Sequence, residues 1–129
     1  MIRAVAALAS LTCGIAHGCG DPGDKLARSA HYTIAYRTVP SPIVTGEHFA
    51  LDITVCPIGN GPPPRALRVD ARMPEHRHGM NYRPTVVAKG RGRYRAEGLL
   101  FHMNGRWEVV FDLTTAGASE RATSAWVLE

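Results

Sequence analysis

A chain of 129 residues with a formal charge of +4 has room for one hydrophobic core and too little length for two. Its fifteen Lys and Arg residues are scattered, and no basic stripe joins a recognisable nucleic-acid motif, so a nucleic-acid-binding reading is set aside. Arg91, Arg93 and Arg95 alternate, which on a strand gives three charges on one solvated face rather than a docking stripe.

The first eighteen residues read as an export signal. Arg3 supplies a short positive start, residues 4–16 are largely apolar, and Ala16-His17-Gly18 places small residues at the −3 and −1 positions of a cleavage site before Cys19. The run is short and alanine-rich for a membrane span, and no later stretch is long enough to be one. The mature chain is therefore expected in the bacterial periplasm or otherwise exported, with no transmembrane span. Cys13 leaves with the signal, so Cys19 and Cys56 remain. In an oxidising compartment the pair invites a disulfide, while a lipid on Cys19 at the new terminus, or a free thiol there, stays open. Residues 19–30, with Gly20-Asp21-Pro22-Gly23-Asp24, read as a flexible lead-in to the domain at 31–129.

From residue 31 the chain alternates like a set of strands. Residues 31–38 put Tyr32, Ile34 and Tyr36 on one face, and residues 47–56 put Phe49, Leu51, Ile53 and Val55 on one face. Pro40-Ser41-Pro42 separates the two, and residues 57–64, rich in Pro and Gly, form a loop. Residues 65–72, 85–88, 94–101, 106–114 and 122–128 supply further strands, the fourth of these with Trp107, Val109, Phe111 and Leu113 on one side. About seven short strands, with no helical period after the signal, predict an all-β, immunoglobulin-like antiparallel sandwich. No P-loop or GxGxxG accompanies them, and parallel βαβ units are excluded with the helices.

Chemistry concentrates in Met73-Pro74-Glu75-His76-Arg77-His78-Gly79-Met80, which sets two imidazoles, two thioethers and a carboxylate between two strands. His76 and His78 point the same way if the backbone is extended, and Gly79 allows a bend that could return Met80 towards them. A second pair, His102-Met103, ends the strand that returns from the next hairpin, so strand order predicts both clusters at one pole. Imidazole suits copper, zinc and nickel, and thioether sulfur favours Cu(I), so His76, His78, Met80, His102 and Met103 are the expected copper ligands. Zinc fits such a set less well. The competing use of these residues is structural, with ring N–H groups bonded to loop carbonyls and the methionines filling core. His31 and His48 are read as background. No nucleophile elbow is present, and Glu75 and His76 face apart on an extended chain, so no enzyme is expected.

The loop MPEHRHGM together with GRYRAEGLLFHMNGRWEVVFDL resembles the YtkA-like domain family, related to FixH-like proteins and to small exported copper-associated sandwiches. The likeness spans about residues 67–113. His76, His78, Met80, His102 and Met103 fall on the family's motif positions, while Asn104 stands where the family often has proline. The resemblance implies an exported sandwich in the cell envelope. From the copper-linked relatives it suggests copper storage, delivery or tolerance, with an envelope oxidase or electron-transfer protein as partner. The alternative is a metal-free accessory domain in which the histidine loop is structural.

Overall fold

A computed structural model of the chain describes residues 18–129; the expected signal lies almost wholly outside them. Nine strands follow one another: β1 (Lys25–Arg28), β2 (Tyr32–Val39), β3 (His48–Pro57), β4 (Ala66–Met73), β5 (His78–Gly79), β6 (Thr85–Gly90), β7 (Arg93–Leu100), β8 (Gly105–Thr114) and β9 (Ser119–Leu128). They form two sheets, in the orders β1-β2-β3-β7-β6 and β5-β4-β8-β9, and every strand pair is antiparallel. With β2, β3, β7 and β6 taken as A, B, E and D, and β4, β8 and β9 as C, F and G, this is the immunoglobulin arrangement.

The alternation read from the sequence is what fills the core. In β4 every second residue is buried, Leu67, Val69, Ala71 and Met73 facing in against exposed Arg68, Asp70 and Arg72. Across the sandwich, Ile34, Leu51 and Ile53 from the first sheet meet Trp107, Val109, Phe111 and Leu113 from the second in one cluster. Each such side chain contributes about 1.5–3 kcal/mol by leaving water.

Two strands were not foreseen. In β1 the large Leu26 is 54% exposed while the small Ala27 is buried, which inverts the expected hydrophobic signal. What seats β1 is its neighbour in the other sheet: Lys25 donates Nζ to the Ala125 carbonyl at 3.0 Å and lies 4.0 Å over the Trp126 ring. Burial at this seat lowers the Lys25 pKa. The turn after β1 is clasped to β9 as well. Glu120 accepts from Ser29 Oγ at 2.8 Å, from the His31 backbone N–H at 2.9 Å and from the His31 ring at 2.8 Å. Desolvation pushes the Glu120 carboxyl up, but these bonds together outweigh it and hold the group below its ordinary value.

Residues 19–24, expected as part of a loose lead-in, lie over the outer face of β2. Cys19 is disulfide-bonded to Cys56 near the end of β3, with Cα atoms 5.8 Å apart. Gly20 has φ +75° and an added Cβ would stand 2.3 Å from the Ala35 Cβ, so only glycine allows this approach. Arg37 pairs with Asp21 and, at 3.0 Å, with Asp24. The bridge is unlike that of antibody domains, which joins the two sheets through the core; here it fixes the lead-in to one sheet.

One polar bond crosses the core. The Tyr36 hydroxyl, on a fully buried ring, donates to Ser124 Oγ at 2.7 Å and so links β2 to β9. Burial pushes the phenol from 10.0 up to about 12, partly offset by the Ser124 bond. The folded value lies above the unfolded one, so this stabilisation is intact below pH 10 and is lost as pH rises towards 12. A shift of two units corresponds to about 3 kcal/mol. In urea melts between pH 7 and 11.5, Tyr36→Phe is expected to cost about 1 kcal/mol at neutral pH and to flatten the alkaline decline. An equally steep decline in the variant would count against Tyr36 as its source.

Candidate metal centre

The last residues of β4 and the first of β8 lie side by side, since Arg72 pairs with Glu108. The connection leaving β4 and the one entering β8 therefore start at the same pole of the sandwich. Met73 pairs with His78 across a four-residue turn, 74–77, closed further by a bond from the His76 N–H to the Met73 carbonyl at 3.2 Å. The chain reverses at Arg77, whose φ of 55° is left-handed. The expected bend at Gly79 is thus displaced, because Gly79 is drawn into β5 opposite Arg72.

The turn also changes how the two histidines come together. They do not share the side of an extended strand; His76 sits in the turn and His78 in β5, and the reversal stacks their rings at 5.7 Å between centroids, 26° apart in plane. On the other side His78 meets His102 at 5.2 Å. All three are exposed. Imidazoles sharing one ion at N–metal distances of about 2.0–2.1 Å have centroids roughly 5 Å apart. Both pairs are near that spacing with His78 in the middle. As placed, however, no group of three or more His, Cys, Asp or Glu side chains among the described residues is set to hold a metal ion. Closing a three-nitrogen set therefore requires the outer rings to turn inward, which exposed side chains do on a fast timescale.

The thioethers are placed differently from the imidazoles. Met73 is 1% exposed and belongs to the core, its Cε so close to Gly105 that an added Cβ there would lie 2.7 Å away. Gly105, with φ +131°, is where β8 must begin beneath that side chain. Met80 and Met103 are partly buried and pack against the core cluster from beside the pole. This is the position of core filler, and their sulfur atoms add to the site only by turning outward.

Under the histidines lies Trp107, fully buried. It stacks on Phe101 at 4.4 Å and 3°, and stands edge-to-face with His102 at 5.4 Å and with His78 at 6.3 Å. Its indole N–H donates to the Met103 carbonyl at 3.0 Å. The 101–104 segment is held from its other side by the connection between β2 and β3. Gly46 N–H donates to the Phe101 carbonyl at 2.8 Å, and the Thr45 hydroxyl to Asn104. Asn104, where the resembled family often has proline, thus serves as a tie between loops.

His48 also belongs to this pole. It opens β3 opposite Leu100, and its ring meets Tyr82, from the segment after β5, at 4.8 Å in an edge-to-face contact. Four of the five described histidines are gathered here, the exception being His31. The alternation over residues 47–56 put His48 at the start of its strand, opposite the apolar face, but gave no sign of the pole at which that end lies. Only strand order could have supplied that.

No helix among the described residues is long and apolar enough to cross a membrane. No protein-family model matches the chain, and neither a curated protein nor a solved structure matches it.

Proposed function

We propose that the chain is an exported envelope domain of the YtkA-like kind whose histidine pole binds copper for storage, delivery or tolerance. The observation that carries the reading is the chain of imidazole contacts, His76 to His78 at 5.7 Å and His78 to His102 at 5.2 Å, contributed by two separate connections. Neutral imidazole is a good copper donor, and Met80 and Met103, packed against the core at the edge of the pole, would add soft donors for the reduced ion by turning outward. The Cys19–Cys56 bridge favours an oxidising compartment, where copper handling of this kind takes place. Exposure of all three rings suits a cargo that is passed on, with an envelope oxidase or electron-transfer protein as the recipient. The structural use of the histidines has less behind it. Of these three rings only that of His78 is bonded, to the Gly79 carbonyl at 3.3 Å; among the described residues those of His76 and His102 have no hydrogen bond.

Titrating the chelator-stripped protein with Cu(II), with Cu(I) under reductant that spares the disulfide, and with Zn(II) tests the reading. One copper per chain is the expected result, with tryptophan emission falling as Cu(II) binds above Trp107. Absence of saturable copper binding, or tighter binding of zinc than of copper, overturns it.

A further inference from the structure

Three exposed rings on two independent connections need something to hold them in register. Their own hydrogen bonds do not, since the one that exists is local to His78 and Gly79. Trp107 touches both connections from below. One face of the indole is stacked on Phe101, which in turn meets Phe49 of β3 edge-to-face at 5.0 Å, so the ring is braced against the opposite sheet. Its one hydrogen-bond donor is spent on the Met103 carbonyl, immediately after His102. Its contacts with His102 and His78 are edge-to-face, an arrangement that fixes direction as well as distance.

The geometry assigns Trp107 as the positioning residue of the histidine pole: it sets the spacing of His78 and His102 and pins the turn that carries the latter. This rests on the copper reading of the same pole. Trp107 gives no ligand and acts only through the two rings it supports. A site with rigid support loses less ordering entropy on binding an ion than one whose loops must be gathered. Removing the support should therefore weaken binding and alter the nitrogen set, with the number of ions unchanged.

Trp107→Phe keeps an aromatic ring for Phe101 but removes the donor and shortens the reach to His78. At a temperature where both proteins are folded, its Cu(II) affinity, measured by chelator competition, is expected to fall about tenfold with one ion still bound. The electron paramagnetic resonance spectrum should shift towards fewer nitrogen ligands. A merely structural role would lower the melting temperature and leave affinity and spectrum alone. The same substitution made in a His102→Ala background separates the two again, since an effect exerted through His102 should shrink to less than twofold there. Should Trp107→Phe fail to fold, Phe101→Leu, which spares the indole donor but removes its brace, is expected to weaken binding about threefold with a spectral shift. Unchanged affinity and spectrum in a folded variant overturn the assignment while leaving the copper reading intact. A parent chain that binds no copper overturns both.

Discussion

Replacing His76 and His78 together by alanine is expected to abolish measurable copper binding, with affinity falling by at least about a hundredfold. The reasoning is one of ligand count. His78 is the only ring in contact with both of the others, so its loss leaves His76 and His102 without a common neighbour. Of the three rings in the chain of contacts, loss of both leaves only His102, with two partly buried thioethers that favour Cu(I). In metal-free buffer the double variant should melt within about 0.5 kcal/mol of the parent, because exposed side chains with almost no bonds contribute little. Copper at a hundred times its dissociation constant should then stabilise the parent by about 2.7 kcal/mol and leave the variant unmoved. The opposite pattern, a loss of about 1–3 kcal/mol with chelator present and no response to copper in either protein, is what histidines locked into buried hydrogen bonds would give. Binding by the variant as tight as by the parent would remove these two residues from the site.

Breaking the Cys19–Cys56 bridge should have the largest effect on stability of any change away from the core. The two residues are 37 apart in sequence, and a closed loop of that size restricts the unfolded chain by about 4 kcal/mol on the chain-entropy estimate. The described contacts of the lead-in survive reduction, among them Gly20 against Ala35 and the Arg37 ion pairs with Asp21 and Asp24. The reduced domain is therefore expected to remain folded but to lose about 2–4 kcal/mol, read as a lower urea midpoint with the slope little changed. Cys19→Ser and Cys56→Ser should each reproduce the reduced protein. Mass analysis of the chain should show the two-dalton gain on reduction that a bridge requires. A lipid mass on Cys19 with one free thiol at Cys56, or a reductant-insensitive midpoint, would contradict the bridge.

How legible the chain was depended on how each feature is encoded. The strands that bury one face, such as β4 and β8, announce themselves because period-two alternation is the direct cause of their burial. The β1 strand does not, since Leu26 faces out and Ala27 in, and its place is set by Lys25 reaching Trp126 and Ala125 a hundred residues away. The β5 strand has two residues and no pattern to read. Strand order was enough to gather His76, His78 and His102, but the local bend was not foreseeable: Gly79 is the residue that tolerates a left-handed turn most readily, yet Arg77 adopts it. Trp107 was recognisable as a core residue from its alternation with Val109 and Phe111. Its hold on the Met103 carbonyl was invisible, because a backbone acceptor leaves no trace in side-chain identity.

The disulfide also decides which way the domain faces. Strand β3 begins at the histidine pole with His48 and reaches Cys56 eight residues later, roughly 27 Å away along an extended strand. Cys19 is stitched to that far end, so the chain enters the sandwich at its base. A tether attached at that end would grip the molecule from below and leave the imidazoles aimed away from the supporting surface. A recipient would then approach head-on, without having to pass between the domain and whatever anchors it.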